Sequence, residues 1–263
     1  MKLYHVDAFT DRLFAGNPAG VCILYKDIPD AQKLQIAAEL KHSETAFVLL
    51  PPDNGKILLR WFTPLTEVPL CGHATLSAAH ILFENDVIPQ KEQIIFSTRS
   101  GILTAKKLAT RIELDFPQID LSPCANNSAL NSALGVTPLF VAKNDALYFI
   151  EIASALQLRK LKPDFSALQS IIPGEFILTA VSDDPQYDFI SRFFAPAIGI
   201  PEDPVTGSAH CYLAPYWSGK LGKKKMTAHQ ASPRGGTVEC ELVANKRLKL
   251  RGSAVTFYET DIF

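Results

Sequence analysis

The chain has little of three features that mark out whole classes of protein: paired cysteines, long apolar runs and an excess of one charge. Its five cysteines are odd in number and scattered over 263 residues, so they suggest neither a disulfide framework nor a CxxC zinc or redox motif. No stretch approaches the roughly 18 consecutive apolar residues of a membrane-spanning helix. The 26 basic and 27 acidic residues leave a formal net charge of −1, which gives no general attraction to nucleic acid or to an anionic membrane.

What the sequence does contain is enough apolar material for a large core, because 47% of its residues are hydrophobic. The first residues have the pattern of a strand and lack the apolar segment of a signal peptide. We therefore expect a soluble, cytoplasmic protein with neither nucleic-acid nor membrane partners, built as one large domain or two of middling size.

Most of the chain has the pattern of short β-strands separated by turn residues. Strands are predicted at residues 2–8, 20–25, 45–50, 56–62, 93–98, 101–107, 110–116, 138–142, 146–152, 175–182, 188–194, 224–230, 236–242, 246–251 and 254–259. Helices are predicted at residues 30–41, 71–85, 128–134, 164–171 and 206–219. The helices at 71–85 and 206–219 lack a polar face, so we expect each of them to be buried and wrapped by strands.

The two apolar helices are preceded by similar sequences, which indicates a duplicated unit. The motif RWFTP at residues 60–64 recurs as RFFAP at residues 192–196, a separation of 132 residues. Pro69 and Pro201 keep that separation, and the glycines at the two helix starts are then 135 residues apart. The turn residues clustered at 116–125 predict the junction between the two halves.

Each half places a glycine-containing segment at the start of its apolar helix, CGHAT at residues 71–75 and TGSA at residues 206–209. Free backbone N–H groups and the helix dipole make such a place suitable for an anion, and glycine lets a ligand approach the backbone closely. Two such segments facing each other could bind a carboxylate. Simple capping of the helix by Thr206 and Ser208 explains the same residues, so both interpretations stay open.

Three further positions are candidates for chemistry. Glu44 precedes an apolar strand, where desolvation would raise the pKa of its carboxyl group toward the range useful for proton transfer, although an exposed capping carboxylate is the simpler interpretation. Glu202 and Asp203 lie between two prolines, on an extended backbone beside a helix start, where an acid can exchange protons or bind substrate. A charged turn explains Glu202 better. The turn at Gly16 and Asn17 is either a ligand-contacting loop or a plain hairpin connection.

These residues resemble the signatures of a known family, the PhzF-like phenazine-biosynthesis isomerases. RWFTP with CGHAT, and EDPVTGSA at residues 202–209, are similar to its two main motifs. SETAFV at residues 43–48, and DAFT followed by GNPA within residues 7–19, are similar to two further blocks. The four blocks occur in order along the whole chain, which makes the resemblance specific.

The resemblance implies an α+β fold of the diaminopimelate-epimerase type. In that fold two pseudo-symmetric halves each form a β-barrel around a central helix, with the active site in the cleft between them. The halves would comprise residues 1–118 and 119–251, with residues 252–263 returning to the first. The resemblance also implies a homodimer.

The function implied is acid–base isomerisation of a small carboxylate-bearing substrate, in the founding case a dihydroxy-anthranilate, with neither a metal nor an organic cofactor. Glu44 would shuttle the proton, and the other catalytic residues would bind and polarise the substrate. Carried over position by position, the catalytic residues are Glu44, His73, Asp203 and Ser208, and the substrate-binding residues are Asn17, Gly72, Ala74, Thr206 and Gly207.

Related epimerases and racemases use two cysteines, one at each helix start, and here the chain departs from that pattern. The first position holds Cys71, but its counterpart holds Thr206, whose hydroxyl cannot replace a thiolate as a base. A symmetric two-thiol racemase is therefore disfavoured. An amino-acid epimerase that uses Cys71 with another second base stays open, as does a catalytically idle member that binds a metabolite or a protein. Nothing in the residues specifies the substrate.

Overall fold

The computed structural model describes residues 1–51, 56–87 and 93–262. The chain divides into two compact units: unit 1 comprises Met1–Phe116 with Lys249–Phe263, and unit 2 comprises Pro117–Leu248. The ranges predicted from the sequence lie within three residues of these bounds. None of the helices in the described ranges is long and apolar enough to cross a membrane.

Unit 1 consists of strands around a long apolar helix. Its strands are β1 (Lys2–Ala8), β2 (Asn17–Leu24), β3 (Thr45–Leu49), β4 (Ile57–Phe62), β5 (Glu67–Val68), β6 (Gln93–Thr98), β7 (Gly101–Lys107), β8 (Ile112–Pro117), β17 (Arg247–Gly252) and β18 (Ala254–Asp261). Its helices are α1 (Asp30–Leu40) and α2 (Gly72–Glu84).

Unit 2 has a similar succession of elements. Its strands are β9 (Ser122–Pro123), β10 (Phe140–Lys143), β11 (Leu147–Glu151), β12 (Glu175–Val181), β13 (Phe189–Ala195), β14 (Ile200–Asp203), β15 (Lys225–Gln230) and β16 (Gly236–Val243). Its helices are α3 (Ser128–Leu134), α4 (Ala155–Lys160), α5 (Phe165–Gln169) and α6 (His210–Leu221), with a 3₁₀ turn at Pro196–Ile198. Every strand predicted from the sequence has a counterpart, while α4 and the short β5, β9 and β14 are additional.

The strands of unit 1 enclose α2. β1 pairs antiparallel with both β18 and β2, β2 pairs parallel with β3, and β3 pairs antiparallel with β4. β4 then pairs parallel with β6, which continues antiparallel through β7 to β8. Eleven of the thirteen residues of α2 are buried, and the helix packs against β1, β2, β3, β7 and β18. The buried, strand-wrapped helix predicted from its missing polar face is thus confirmed.

Unit 2 repeats the same pairing pattern. β10 and β11 are antiparallel, β11 and β12 parallel, and β12 and β13 antiparallel. β13 then pairs parallel with β15, which pairs antiparallel with β16. The order and directions match β1 through β7 strand for strand, and α6 packs on β15 and β16. The predicted duplication is therefore confirmed by the pairing itself.

The strand register shows where the two halves differ in length. In unit 1 Trp61 lies opposite Val68, and in unit 2 Phe193 lies opposite Asp203. Since the RWF and RFF segments correspond, Val68 and Asp203 occupy equivalent positions. The three additional residues of the second half therefore precede Asp203, in the connection that contains the Pro196–Ile198 turn.

This register corrects one detail of the sequence comparison. Pro69 follows Val68 directly, as Pro204 follows Asp203, so these two prolines are the equivalent pair. The predicted correspondence of Pro69 with Pro201 is wrong, because Pro201 lies before the point at which the register is restored. Their separation of 132 residues is a coincidence.

Helix α6 begins at His210, four residues later than predicted. The preceding residues form a tight turn in which the His210 amide donates to the Gly207 carbonyl. Pro215 lies inside this helix and has no N–H to bond the carbonyl of Cys211. The amide of Ile119 donates to that carbonyl instead, at 3.0 Å, so a buried backbone group keeps a partner and the helix continues past the proline.

Candidate functional site

Unit 1 brings together three of the side chains singled out from the sequence. Glu44 is the residue before β3, His73 is the second residue of α2, and Cys71 is the residue before that helix. His73 Nε2 lies 3.4 Å from Glu44 Oε2, and His73 Nδ1 lies 3.5 Å from Cys71 Sγ. The imidazole ring is therefore flanked by a carboxylate on one nitrogen and a thiol on the other. Glu44 keeps only 16% of its side chain exposed, and His73 keeps 3%.

Two hydroxyl side chains fix the backbone at the start of α2. Cys71 has an extended backbone, and in the part of the chain that the structure describes its side chain does not cap the helix. Thr75 Oγ1 donates to the Cys71 carbonyl at 2.5 Å, and Ser77 Oγ donates to the His73 carbonyl at 2.9 Å. These bonds fix the carbonyls of the first turn. The amide-rich, positive end of the helix dipole is suited to an anion. The binding roles of Gly72 and Ala74 stay predictions.

Asn17 is also positioned by a backbone that only glycine adopts easily. Gly16 has a φ of +66°, and a Cβ atom there would lie 2.2 Å from the Ala8 carbonyl oxygen. Asn17 follows as the first residue of β2, opposite Ala8, and is fully buried. Its role in substrate binding stays a prediction.

Unit 2 holds Asp203 and Thr206 in one hydrogen-bonded group. Thr206 Oγ1 donates to Asp203 Oδ2 at 2.5 Å. Gln230, which is fully buried at the end of β15, accepts from the Thr206 amide at 2.8 Å and donates to the Asp203 carbonyl at 2.7 Å. Its Nε2 atom also lies 3.2 Å from Thr206 Oγ1. Sequence reasoning missed Gln230, for which the signal is slight: a lone polar residue that ends a strand before a Pro- and Gly-containing turn.

The remaining predicted residues of unit 2 lie in the turn that leads into α6. Gly207 is buried and Ser208 half-buried, and their carbonyls accept from the next turn of the chain. His210 Nδ1 lies 3.0 Å from the Thr206 carbonyl, which can only accept, so the ring carries its proton on Nδ1. Burial lowers the pKa of His210 to about 4. Neutral His210, the first residue of α6, therefore stabilises the loop through its hydrogen bond to the Thr206 carbonyl.

The two neighbouring acids of this loop have different surroundings. Arg192 donates from Nε and Nη2 to the two oxygens of Glu202, at 2.6 and 2.8 Å. Its Nη1 donates to the carbonyls of Leu158 and Leu161. Glu202 is thus part of a structural ion pair, in agreement with the charged-turn interpretation, and Asp203 is the acid presented beside the helix start.

A second acid of unit 2, Glu175, has a place that sequence reasoning did not identify. It precedes Phe176, which lies opposite Phe194, just as Glu44 precedes Thr45, which lies opposite Phe62. Glu175 is therefore the counterpart of Glu44 in the duplicated unit. Burial, together with the negative charge of Asp203, raises the pKa of its carboxyl group.

The comparisons with known proteins agree with the strand order and the helix-start motifs. A family model for phenazine biosynthesis-like proteins (PhzC-PhzF) matches residues 6–260. A Halalkalibacterium halodurans protein named as an uncharacterized isomerase is 49% identical over 263 residues, covering 99% of this chain and 97% of that protein. The human phenazine biosynthesis-like domain-containing protein is 36% identical over 284 residues, with 98% of each chain covered.

Solved structures show the fold independently. A PhzF-family protein from Enterococcus faecalis superposes with a TM-score of 0.93 at 39% identity, covering 100% of this chain and 98% of that one. A probable proline racemase from Agrobacterium radiobacter has the same fold at 10% identity, with a TM-score of 0.65 and coverage of 100% and 92%. The predicted α+β fold of two similar halves is confirmed. The chain belongs to the phenazine biosynthesis-like (PhzC-PhzF) family.

Proposed function

We propose that the protein is an isomerase that moves a proton within a small carboxylate-bearing substrate, with Glu44 as the group that removes and returns the proton. The observation that carries this proposal is the cluster of Glu44, His73 and Cys71 at the start of α2, with the imidazole 3.4 Å from the carboxylate. The isomerase names of relatives such as the Halalkalibacterium halodurans protein support it. No organic cofactor or metal takes part in the proposed reaction.

The proposed chemistry is a proton shift through one carboxylate. Glu44 takes a proton from a substrate carbon, the electron pair of the broken C–H bond delocalises into the substrate, and Glu44 returns the proton at another carbon. A neutral imidazole has one donor and one acceptor nitrogen. With its proton on Nε2, His73 can therefore donate to the Glu44 carboxylate and hold it in position for the transfer. Cys71, on the other ring nitrogen, can adjust as a weak donor or acceptor.

The start of α2 would bind the substrate carboxylate beside this base. The amides of residues 72–74 and the positive end of the helix dipole favour an anion there. Asp203 and Ser208, at the helix start of unit 2, are proposed to bind polar groups of the substrate. The variants Asp203→Asn and Ser208→Ala are expected to raise KM or lower the rate of proton exchange.

The test is proton exchange in D₂O. The protein is incubated with a panel of small carboxylates that includes a dihydroxy-anthranilate, and deuterium uptake and isomer formation are followed by NMR. We expect exchange with at least one compound, its loss in Glu44→Gln, and its retention in Glu39→Gln, which makes the same charge change on the exposed side of α1. Exchange that survives in Glu44→Gln would remove Glu44 from the mechanism.

A second candidate function rests on the 3.5 Å contact between Cys71 Sγ and His73 Nδ1. A thiol beside an imidazole can lose its proton to the ring and act as a base, as an epimerase would require. Activity lost in Cys71→Ser but kept in Glu44→Gln would favour this function. If Glu44→Gln, His73→Ala and Asp203→Asn all bind one panel compound like the parent protein, without turnover in any of them, the chain is a binding protein instead.

A further inference from the structure

We propose that Glu44, Cys71 and His73 form a binding site for a thiophilic divalent cation, with Zn²⁺ as the expected occupant, and that bound Zn²⁺ blocks the site. The inhibitory part rests on the proposed function, because it requires that Glu44 act as the base. The binding part does not, because it depends only on the three ligand atoms and their geometry.

The separations of the ligand atoms suit a tetrahedral zinc centre. Zinc binds sulfur at about 2.3 Å and imidazole nitrogen at about 2.0–2.1 Å, so two such ligands at a tetrahedral angle lie about 3.5 Å apart. Cys71 Sγ and His73 Nδ1 are 3.5 Å apart. One ligand atom from each of the three residues can be chosen so that all lie within 4.8 Å of one another. Glu44 Oε2 lies beside Nε2 rather than Nδ1, so the carboxylate has to move toward Cys71 to become the third ligand of an ion bound at Nδ1.

The chemistry of the three groups selects the metal. Thiolate and imidazole are ligands of zinc and cobalt, whereas magnesium and calcium prefer sets made of oxygen atoms alone. His73 lies in the first turn of α2, while Cys71 directly precedes that helix and Glu44 directly precedes β3, so all three ligands lie in or next to a regular element. Three protein ligands leave a fourth position for water or for a substrate carboxylate, as in zinc sites that keep an open position.

Zinc bound in this way would compete with the proposed reaction. The metal would take the carboxylate lone pair with which Glu44 accepts a proton, and it would fix one nitrogen of His73. Within residues 1–51, 56–87 and 93–262 this is the one group of three His, Cys, Asp or Glu side chains that meets the distance criterion for a shared ion. The equivalent positions of unit 2 are Thr206 and Ser208, which offer neither thiol nor imidazole. We therefore expect one ion per chain.

The test is a cobalt titration of the full-length protein after treatment with a chelator. Co²⁺ is added to the parent protein and to Cys71→Ser, Glu44→Gln and Cys211→Ala, and thiolate-to-cobalt absorption is recorded before and after addition of Zn²⁺. Cys211 is the matched control, a buried cysteine in the other apolar helix, where burial raises the pKa of the thiol to about 12. Circular dichroism of each variant verifies that it folds.

We expect one equivalent of Co²⁺ to give a thiolate charge-transfer band that one equivalent of Zn²⁺ removes. Cys71→Ser should abolish the band, Glu44→Gln should weaken binding by about tenfold or more, and Cys211→Ala should leave both unchanged. The binding proposal is overturned if no thiolate band forms, or if the band persists in Cys71→Ser.

A separate arm measures activity, so that failure of the proposed function is recognised as such. With a compound that shows exchange in D₂O, the chelator should leave the rate unchanged and stoichiometric Zn²⁺ should lower it at least tenfold, with relief by excess substrate. A rate that falls with chelator and recovers with Zn²⁺ would overturn the inhibitory role. If no compound exchanges, the proposed function fails while the cobalt spectra still decide whether the metal site exists.

Discussion

Unit 1 and unit 2 contain the same arginine–glutamate ion pair, on the strands that precede α2 and α6. In unit 1 Arg60 donates to both oxygens of Glu67, and in unit 2 Arg192 donates to both oxygens of Glu202. Each guanidinium lies over the phenylalanine two residues further along the chain, at 5.0 and 4.9 Å from the ring centroid. An ion pair with this planar, two-bond geometry fixes the strand that leads to the helix start.

A second contact is also repeated. Ser100 Oγ donates to the Pro69 carbonyl at 2.6 Å, and Ser232 Oγ donates to the equivalent Pro204 carbonyl at 2.8 Å. The helix starts that follow are chemically different, since one has a thiol and an imidazole where the other has two hydroxyls. The duplicated bonds therefore hold the backbone of both helix starts in the same way. The side chains of Cys71 and His73 differ in chemistry from those of Thr206 and Ser208 at the equivalent positions.

The largest expected effect tests whether the two equivalent acids differ in function. Glu44→Gln should lower the rate of proton exchange by about 10²–10⁴-fold, the range for loss of a general base. Glu175→Gln should lower it by less than about tenfold, because the charge that acts on Glu175 is that of Asp203, whereas Glu44 lies beside the imidazole of His73. Both rates are measured by NMR in D₂O with the same substrate. Equal losses in the two variants would contradict the asymmetry.

The next largest effect compares the two ion pairs, Arg60–Glu67 and Arg192–Glu202. Arg192→Gln should destabilise the protein by about 3–5 kcal/mol, because it leaves the largely buried Glu202 carboxylate and two backbone carbonyls without their donor. Arg60→Gln should cost about 1–2 kcal/mol, because Arg99 still pairs with Glu67 at 2.7 Å and the carboxylate of Asp30, which Arg60 also bonds, is exposed to solvent.

Urea unfolding of both arginine variants, followed by circular dichroism, gives the two losses. The double variant with Arg99→Gln is the control for the smaller figure, since it should bring the loss in unit 1 closer to that in unit 2. A loss of stability in Arg60→Gln as large as that in Arg192→Gln would show that Arg99 does not replace Arg60 as the partner of Glu67.

A third comparison concerns the strand ends that face the two loops. Gln230→Ala should destabilise the protein by about 2–3 kcal/mol, since it removes three hydrogen bonds and leaves the buried Thr206 amide without an acceptor. The equivalent residue of unit 1 is Thr98, whose hydroxyl bonds Gly101 and Ser100 within its own turn, and Thr98→Ala should cost about 0.5–1 kcal/mol.

The same urea titration measures both strand-end variants, and the NMR assay adds a second readout. Gln230→Ala should also raise KM in the exchange assay, because it frees the loop that carries Asp203 and Thr206. A purely local effect of Gln230, with stability lost but KM unchanged, would argue against its role in positioning the loop.

Much of the fold could be predicted because local patterns determine it. Alternation of apolar residues located the strands, and the missing polar face of residues 71–85 identified the buried helix α2. The same expectation for residues 206–219 holds only in part, because five of the twelve residues of α6 are buried. The strand β5 has two residues and β14 four, too few for a pattern to show. The incorrect match of Pro69 with Pro201 arose because spacing alone does not reveal where an insertion lies.

Of the candidate site, the sequence predicted only the residues that belong to recognisable motifs. Glu44, Cys71 and His73 lie in recognisable blocks, and the structure brings them together. Gln230 and Glu175 belong to no motif. The role of Gln230 depends on β15 meeting a loop 24 to 27 residues earlier in the chain, and the equivalence of Glu175 with Glu44 depends on strand register. Such relations exist only in the folded chain.

The smallest expected effect is a pH dependence of stability that comes from Glu175. Its pKa is raised in the folded protein, by burial first and by the charge of Asp203 second, above the ordinary value of 4.5. The folded state therefore binds the proton more tightly than the unfolded state does. The stability that this provides is fully present below pH 4.5 and is lost as the pH rises through the raised pKa.

Glu175→Gln should consequently gain stability relative to the parent protein as the pH increases, with the difference smallest at pH 4 and largest at pH 8. Urea midpoints at the two pH values measure it, and Glu39→Gln, on the exposed side of α1, controls for the change in net charge. In the double variant with Asp203→Asn the pH-dependent difference should shrink, because one of the two causes of the shift is gone, whereas burial remains. A constant difference across the pH range would mean that the carboxyl group of Glu175 is as well solvated in the folded protein as in the unfolded chain.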